Sequence, residues 1–126
     1  IYHGTSMADV KTKLTALSQN FNKKILIAET SYPFTLGYND WTNNVVGQNN
    51  QLIAGYDASP AGQKSYILAI KSLVKSVPNG AGFCYWGGEW IAFKGNQATN
   101  GSTWENQALW DFNNNALEGI QAFNKD

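Results

Sequence analysis

The stretch "KKILIAETSYPF", residues 23–34, constrains the fold most, because an unbroken apolar run ends there on a carboxylate. Residues 25–28 do not alternate between apolar and polar side chains, which is typical of a strand covered on both faces in a parallel sheet. Glu29 follows this run directly. The carboxyl ends of such strands carry the binding and catalytic groups of α/β folds. Glu29 is therefore either a solvated strand end or a functional residue.

Helical segments alternate with strands of this kind. Apolar residues recur every three or four positions over residues 7–21 and again over residues 66–77, which predicts two amphipathic helices. Ser6 predicts the start of the first helix and Pro60 the start of the second. A second apolar run at residues 82–85 predicts another strand. This order predicts an α/β fold built from βαβ units with a parallel sheet.

Long connections follow both predicted strands. Residues 30–59 are polar and rich in turn residues, and such a long connection is either disordered or functional. The tail, residues 104–123, shows weak periodicity that predicts one or two short helices. Two strands leave both edges of a parallel sheet open. Residues 1–126 are therefore expected to form part of one larger domain.

Composition excludes several classes of partner. The chain has nine lysines, no arginine and a formal net charge of zero, so no basic surface for nucleic acid or for an anionic membrane is expected. No apolar run approaches the roughly 20 residues of a membrane-spanning helix. Cys84 is the single cysteine and cannot form an internal disulfide. Five Trp, six Tyr and six Phe beside many Asn and Gln suit either carbohydrate binding or an aromatic core.

The two predicted strand ends carry similar side chains. Because parallel strands end at the same edge of a sheet, these side chains are expected to converge there. A carboxylate among aromatic side chains fits glycoside hydrolysis, whereas simple core packing is the alternative for the tryptophans. The residues in question are Glu29, Tyr32 and Trp41 after the first strand, and Trp86, Glu89 and Trp90 after the second.

Three stretches, "HGTSMADVKTKLTAL", "ILIAETSYPFT" and "GFCYWGGEWIAF", resemble the carboxyl-terminal part of the endo-β-1,4-galactanases that degrade arabinogalactan. That family folds as a (β/α)8 barrel and belongs to the retaining glycosidases. The resemblance covers essentially the whole chain. It implies that the chain supplies the end of strand six, helix six, strand seven, helix seven, strand eight and the terminal helix, with the remaining barrel upstream of residue 1.

The resemblance also implies roles for individual residues. Glu29, at the end of strand seven, would be the catalytic nucleophile, and Trp86, at the end of strand eight, the platform beneath the reacting sugar. Tyr2 and His3 would lie at the end of strand six. The substrate-binding set implied in this way is Trp86, Trp90, His3, Tyr2, Tyr32 and Glu89. The family takes its proton donor from strand four, which this chain does not contain.

Two features of the family are less clear in this sequence. The galactanases read roughly "YWEPAW" after strand eight, whereas this chain reads "YWGGEW", so the acid at Glu89 has changed position. Trp104, Glu105 and Asn106 resemble the motif at the start of the family's final helix and are interpreted as mainly structural, with Trp104 also a candidate contact to a distal sugar subsite. No cofactor is expected to be required. Some family members bind calcium after strand seven, and here loop 36–57 offers oxygen ligands at Asn39, Asp40, Asn43, Asn44 and Asp57.

The function implied is that of a retaining endo-β-1,4-galactanase that hydrolyses β-1,4-galactan or the arabinogalactan side chains of plant pectin. Two alternatives stay open: a non-catalytic carbohydrate-binding module, and another barrel glycosidase such as a β-mannanase or cellulase. The expected partners are the polysaccharide and either the upstream half of the barrel or a second copy. The family implies a secreted, periplasmic or cell-surface location.

Overall fold

The computed structural model describes Tyr2 and residues 5–124, and His3 lies outside the described residues. Two helices alternate with two strands: α1 is Met7–Phe21, β1 is Ile25–Thr30, α2 is Pro60–Ser76 and β2 is Gly80–Tyr85. Three short 3₁₀ helices lie in the connections and in the tail. They are Asn49–Gln51, Glu105–Gln107 and Glu118–Phe123.

Both helices begin where the sequence predicts. Ser6 precedes α1, and its side chain accepts a hydrogen bond from the backbone N–H of Asp9. Ser59 caps α2 in the same way through the N–H of Gly62, with Pro60 in the first turn. These caps satisfy backbone donors that have no partner inside the helix.

The two strands pair in parallel, which confirms the predicted βαβ arrangement. Ile27 lies opposite Phe83, and Thr30 lies opposite Tyr85. The backbone N–H of Trp86 donates to the carbonyl of Thr30 at 2.8 Å. Glu29 and Trp86 therefore sit at the same edge of the sheet.

Only one face of β1 is covered by the rest of this chain, so the prediction of two covered faces is wrong here. Ile27 and Thr30 are buried, and Thr30 forms a 2.8 Å hydrogen bond with the hydroxyl of Tyr66 on α2. Leu26 is 57% exposed, and Ala28 is exposed as well. Both described helices pack on the face that carries Ile27, which leaves an apolar stripe on the other face.

The core lies between α1, α2 and the covered face of β1. Its buried apolar residues come mainly from α2, in agreement with the stripe predicted there. The tail folds back onto α2 through the short 3₁₀ helix Glu118–Phe123, in agreement with the one or two short helices predicted for residues 104–123, and Lys64 pairs with Glu118 at 3.3 Å. The buried cluster is Val10, Ile27, Tyr32, Tyr66, Ile67, Ile70, Leu73, Val74, Val77 and Ala122.

The long connection after β1 is ordered by hydrogen bonds to the loop after β2. The side chain of Asn106 donates to the carbonyls of Thr35 and Val46, at 2.8 and 2.7 Å. The N–H of Trp41 donates to the carbonyl of Ala98. These hydrogen bonds join the loop after β1 to the loop after β2. Among the described helices, none has the length and apolar character that crossing a membrane requires.

Candidate active site

Glu29 lies at the exposed end of β1, where the phenol of Tyr2 reaches it. The Tyr2 hydroxyl donates to Oε2 of Glu29 at 2.8 Å. Burial, followed by the hydrogen bond to the Glu29 carboxylate and the charge of that group, raises the pKa of Tyr2 to about 12. Tyr2 therefore stays protonated at neutral pH, and its hydroxyl can orient the Glu29 carboxylate.

Four aromatic rings form a continuous series beside this carboxylate, which we call the aromatic wall. Each ring meets the next edge to face: Tyr2 and Trp104 at 5.9 Å, Trp104 and Trp90 at 6.1 Å, and Trp90 and Trp86 at 5.4 Å. Trp86 and Trp90 are 39% and 42% exposed, so part of each ring is accessible to a ligand. Such partly exposed aromatic rings can bind the apolar faces of sugar rings.

Buried polar groups hold the backbone that follows Glu29. The Ser31 hydroxyl donates to Oε1 of Gln107 at 2.7 Å. The hydroxyl of Tyr85 donates to the carbonyl of Tyr32 at 3.0 Å, and Nε2 of Gln63 donates to the same carbonyl at 3.0 Å. Because these partners come from α2, β2 and the tail, they fix the end of β1 relative to all three.

The prediction that Tyr32 contacts substrate is wrong, because the structure places its side chain in the core. Only 1% of Tyr32 is exposed, and its ring stacks on Tyr66 with centroids 4.3 Å apart. Its hydroxyl donates to the carbonyl of Tyr56 at 2.8 Å and accepts from the N–H of Ile53 at 3.0 Å. Tyr32 therefore anchors the long loop onto α2.

Glu89 is exposed but does not share the hollow beside Glu29. Glu29 lines a hollow with residues of β1 and α1 and with Tyr2. Glu89 lines two others, one of 430 Å³ with Trp90 and Phe93, and one with Trp110. A substrate contact of Glu89 stays a prediction. That of His3 falls outside the described residues.

The loop predicted to offer calcium ligands contains a buried acidic group. Asp40 and Glu105 are almost fully buried, and Oε1 of Glu105 accepts from the N–H of Asn39. Oδ2 of Asp40 and Oδ1 of Asn44 are buried without a hydrogen-bond partner. Among the described residues no group of three or more His, Cys, Asp or Glu side chains could hold a metal ion. Calcium also takes amide and backbone carbonyl oxygens, so a calcium ion in loop 36–57 stays a prediction.

Burial affects the protonation of Glu105 in this group. It raises the pKa of Glu105 above its ordinary value, and the charge of Asp40 adds to the effect, while hydrogen bonds from the backbone of Asn39 and Asp40 and from the side chain of Asn44 oppose it. We therefore expect the folded protein to keep the Glu105 proton to a higher pH than the unfolded chain does.

This expectation gives a pH-dependent stability with a definite sign. Because the folded-state pKa of Glu105 is raised, its contribution is present below the ordinary pKa and is lost as the pH rises through the folded pKa. Glu105→Gln should abolish that loss, since its amide can donate at every pH and its oxygen can still accept from Asn39. Melting temperatures measured from about pH 4 to pH 8 should therefore diverge, with the variant more stable at the higher pH.

Glu118→Gln is the matched control, because it removes one negative charge from a side chain that is 41% exposed. It should leave the pH dependence of the melting temperature over that range unchanged. Parallel curves for Glu105→Gln and the unmodified protein would show that Glu105 carries no extra proton.

Trp104 is the site residue that the sequence interpretation undervalued, whereas the burial of Glu105 agrees with its interpretation as structural. Trp104 joins the aromatic wall, and Glu105 binds the long loop through Asn39. Each lies in a 3₁₀ segment or next to one, so neither belongs to a periodic pattern. The sequence offered only a compositional signal for this segment, three consecutive polar residues after a tryptophan in "WENQ". The structure shows that these three polar residues are buried.

Nearly the whole chain is similar to known proteins. Residues 1–123 match the family described as Glycosyl hydrolase family 53. The chain is 34% identical to the "Arabinogalactan endo-beta-1,4-galactanase" of Cellvibrio japonicus over 96% of its own length and 32% of that protein. It is 28% identical to the "Endo-beta-1,4-galactanase" of Bacillus subtilis, over 97% of this chain and 35% of that protein. The chain spans about a third of the length of these curated relatives.

A solved structure gives the same result for the fold. The structure titled "Ignisphaera aggregans GH53 catalytic domain" superposes with a TM-score of 0.78 and 38% identity, over 94% of this chain and 34% of that one. The match includes the mixed α/β arrangement described above. From the family match and these relatives together, we conclude that the chain belongs to glycosyl hydrolase family 53.

Proposed function

We propose that the chain is the nucleophile-bearing, carboxyl-terminal part of a retaining endo-β-1,4-galactanase. Its substrate would be β-1,4-galactan, including the arabinogalactan side chains of plant pectin. The observation that carries the proposal is Glu29, which lies at the end of a parallel strand and accepts a hydrogen bond from Tyr2, the first ring of the aromatic wall. The relatives named as galactanases support the choice of substrate.

In this mechanism the chain supplies the nucleophile of a double displacement. The ionised Glu29 carboxylate attacks the anomeric carbon and forms a glycosyl-enzyme intermediate as the leaving oxygen departs. A second carboxylic acid, roughly 5–5.5 Å away, protonates that oxygen and later activates the water that hydrolyses the intermediate. Tyr2 holds one oxygen of Glu29 in place, while Trp86 supports the reacting sugar.

The rest of the barrel would complete the site. In this proposal β1 is strand seven, β2 is strand eight, Tyr2 ends strand six, and the proton donor belongs to strand four upstream. The exposed stripe of Leu26 and Ala28 supports this placement, because an apolar face of a parallel strand requires a cover. Such an enzyme would act where plant polysaccharide occurs, in a secreted, periplasmic or cell-surface form.

The two alternative functions account for less. A carbohydrate-binding module would explain the aromatic wall, but it would not explain a carboxylate that Tyr2 holds in one orientation. A β-mannanase or cellulase would use the same carboxylate, but the curated relatives described above are named as galactanases. The galactanase proposal therefore accounts for both the site and the relatives.

Substrate choice tests the proposal. The complete enzyme should release reducing ends from β-1,4-galactan and much less from β-1,4-mannan or cellulose, and NMR should show that the first product has the β-configuration. Turnover of mannan or cellulose alone would favour the other glycosidases. Galactan binding by a folded, complete protein without turnover would favour a binding module.

A further inference from the structure

Trp104 contacts the group that holds the candidate nucleophile. Its ring meets the Tyr2 ring edge to face, with centroids 5.9 Å apart and planes at 87°. The hydroxyl at the other end of that Tyr2 ring donates to Glu29 at 2.8 Å. Trp104 is therefore linked to the carboxylate through Tyr2.

Trp104 can approach this closely because residue 87 has no side chain. Gly87 has a φ of +66°, and a Cβ added there would lie 2.7 Å from Cδ1 of Trp104 and 3.1 Å from Cε3 of Trp90. Real Cβ atoms essentially never come as close as the first of these distances. Any side chain at this position would displace Trp104 or Trp90. Gly87, the first glycine of "YWGGEW", therefore leaves the space that the Trp104 and Trp90 rings occupy.

The Ser102 hydroxyl forms hydrogen bonds with the backbone of two residues of the aromatic wall, Trp90 and Trp104. Oγ of Ser102 donates to the carbonyl of Trp90 at 2.6 Å and accepts from the N–H of Trp104 at 3.2 Å. The carbonyl of Trp104 in turn accepts from the N–H of Gln107 at 2.8 Å. The backbone of Trp104 is therefore held at both its N–H and its carbonyl, which fixes the point from which the ring extends, whereas the indole Nε1 is buried without a hydrogen-bond partner and the ring is held by packing alone.

We infer that Trp104 is a positioning residue, whose ring keeps the Tyr2 hydroxyl on Glu29, and that Gly87 is the position that admits it. The kinetic consequence rests on the proposed function, whereas the contact itself does not. A nucleophile displaced by about 1 Å can lose about 10²-fold in rate. Loosening Tyr2 should therefore lower kcat and leave KM nearly unchanged, since Trp86 and Trp90 keep the sugar platform.

A double-mutant cycle in the complete enzyme separates positioning from general stability. Trp104→Ala should lower kcat on galactan by about 10- to 100-fold, and Trp104→Phe should retain most of it. Tyr2→Phe should lower kcat by a similar factor. In the Tyr2→Phe background, Trp104→Ala should then cost little more, because the hydroxyl it supports is gone. Additive losses would overturn the inference.

Glycine substitutions isolate the contact at residue 87. Gly87→Ala and Gly95→Ala both place a side chain at positive φ, but an added Cβ at Gly95 meets nothing within 4 Å. Gly87→Ala should lower kcat as Trp104→Ala does, while Gly95→Ala should keep the unmodified value. Equal effects of the two substitutions would show that backbone strain, not Trp104, is responsible.

Titration of Tyr2 supplies a readout that does not depend on activity. In protein labelled at Tyr Cζ with ¹³C, with the signal assigned by its loss in Tyr2→Phe, the pKa of Tyr2 should be about 12. Trp104→Ala should lower it towards the ordinary 10, because it exposes the ring and loosens the hydrogen bond to Glu29. A lower pKa in a protein without galactanase activity would refute the proposed function alone. An unchanged pKa would refute the inference itself.

Discussion

Replacing Glu29 by Gln in the complete enzyme is expected to reduce turnover of β-1,4-galactan by several orders of magnitude. A neutral amide cannot attack the anomeric carbon, so no glycosyl-enzyme intermediate forms. The side chain keeps its length, and its amide oxygen can still accept from the Tyr2 hydroxyl, so the surrounding structure should persist. Turnover is measured by reducing-end release, and binding of galacto-oligosaccharides by calorimetry.

Binding provides the contrast that makes this prediction specific. Trp86 and Trp90 stay in place in Glu29→Gln, so affinity for galacto-oligosaccharides should change little. Glu118→Gln is the control, because it also removes one negative charge. Glu118 lies in the tail, where it pairs with Lys64 of α2. It should keep normal turnover. Near-normal turnover by Glu29→Gln would show that another residue is the nucleophile.

A small anion gives a second measurement of the same role. In Glu29→Ala, added azide can enter the space left by the carboxylate and attack the anomeric carbon. The azide forms the new C–N bond as the glycosidic C–O bond breaks. Because only one displacement occurs, the product should be the α-galactosyl azide, with inverted configuration. Absence of rescue together with a lost binding affinity would indicate a structural role for Glu29.

The parts of the fold that the sequence predicted correctly depend on local signals. Ser6 and Pro60 mark helix starts because their caps use neighbouring residues only. The position of Glu29 beside Trp86 follows from two apolar runs joined by a helix, since such units pair in parallel. These inferences need no knowledge of distant contacts.

The residues that were interpreted wrongly depend on distant contacts. Tyr32 is an aromatic residue next to a strand end, and only its stacking on Tyr66 in α2 distinguishes a core residue from a ligand contact. The hydroxyl of Tyr32 also bonds a distant group, since the carbonyl of Tyr56 lies 24 residues away. Exposure of Leu26 depends on which face the helices cover. No periodicity within a short window contains this information.

The 126-residue chain alone is expected to show no galactan turnover. Retaining hydrolysis needs a proton donor, because a sugar alkoxide is a poor leaving group, and general acid catalysis typically contributes about 10²- to 10⁴-fold. Among the described residues, Glu89 is the acid exposed on the loop after β2, and it lines hollows other than that of Glu29. Two strands also leave both edges of the sheet unpaired, where a closed barrel has eight strands.

Two assays on galactan measure this prediction. The isolated chain should release no reducing ends, whereas the chain fused to an upstream barrel half should release them readily. Circular dichroism of the isolated chain controls for folding, because α1 and α2 together should give a substantial helical signal. Inactivity with that helical signal present would assign the defect to the missing part of the site, and inactivity without it to folding.

Turnover by the isolated, folded chain would contradict this prediction and would also revise the mechanism. It would require a proton donor within the chain, and Glu89 would be the first candidate because its carboxylate is exposed beside Trp90. Glu89→Gln should then abolish the activity of the isolated chain. If the donor instead lies upstream, Glu89→Gln in the complete enzyme should keep kcat within about 10-fold of the unmodified value, a smaller loss than removal of a general acid causes. The two outcomes place the second carboxylic acid on opposite parts of the barrel, so this single substitution decides between them.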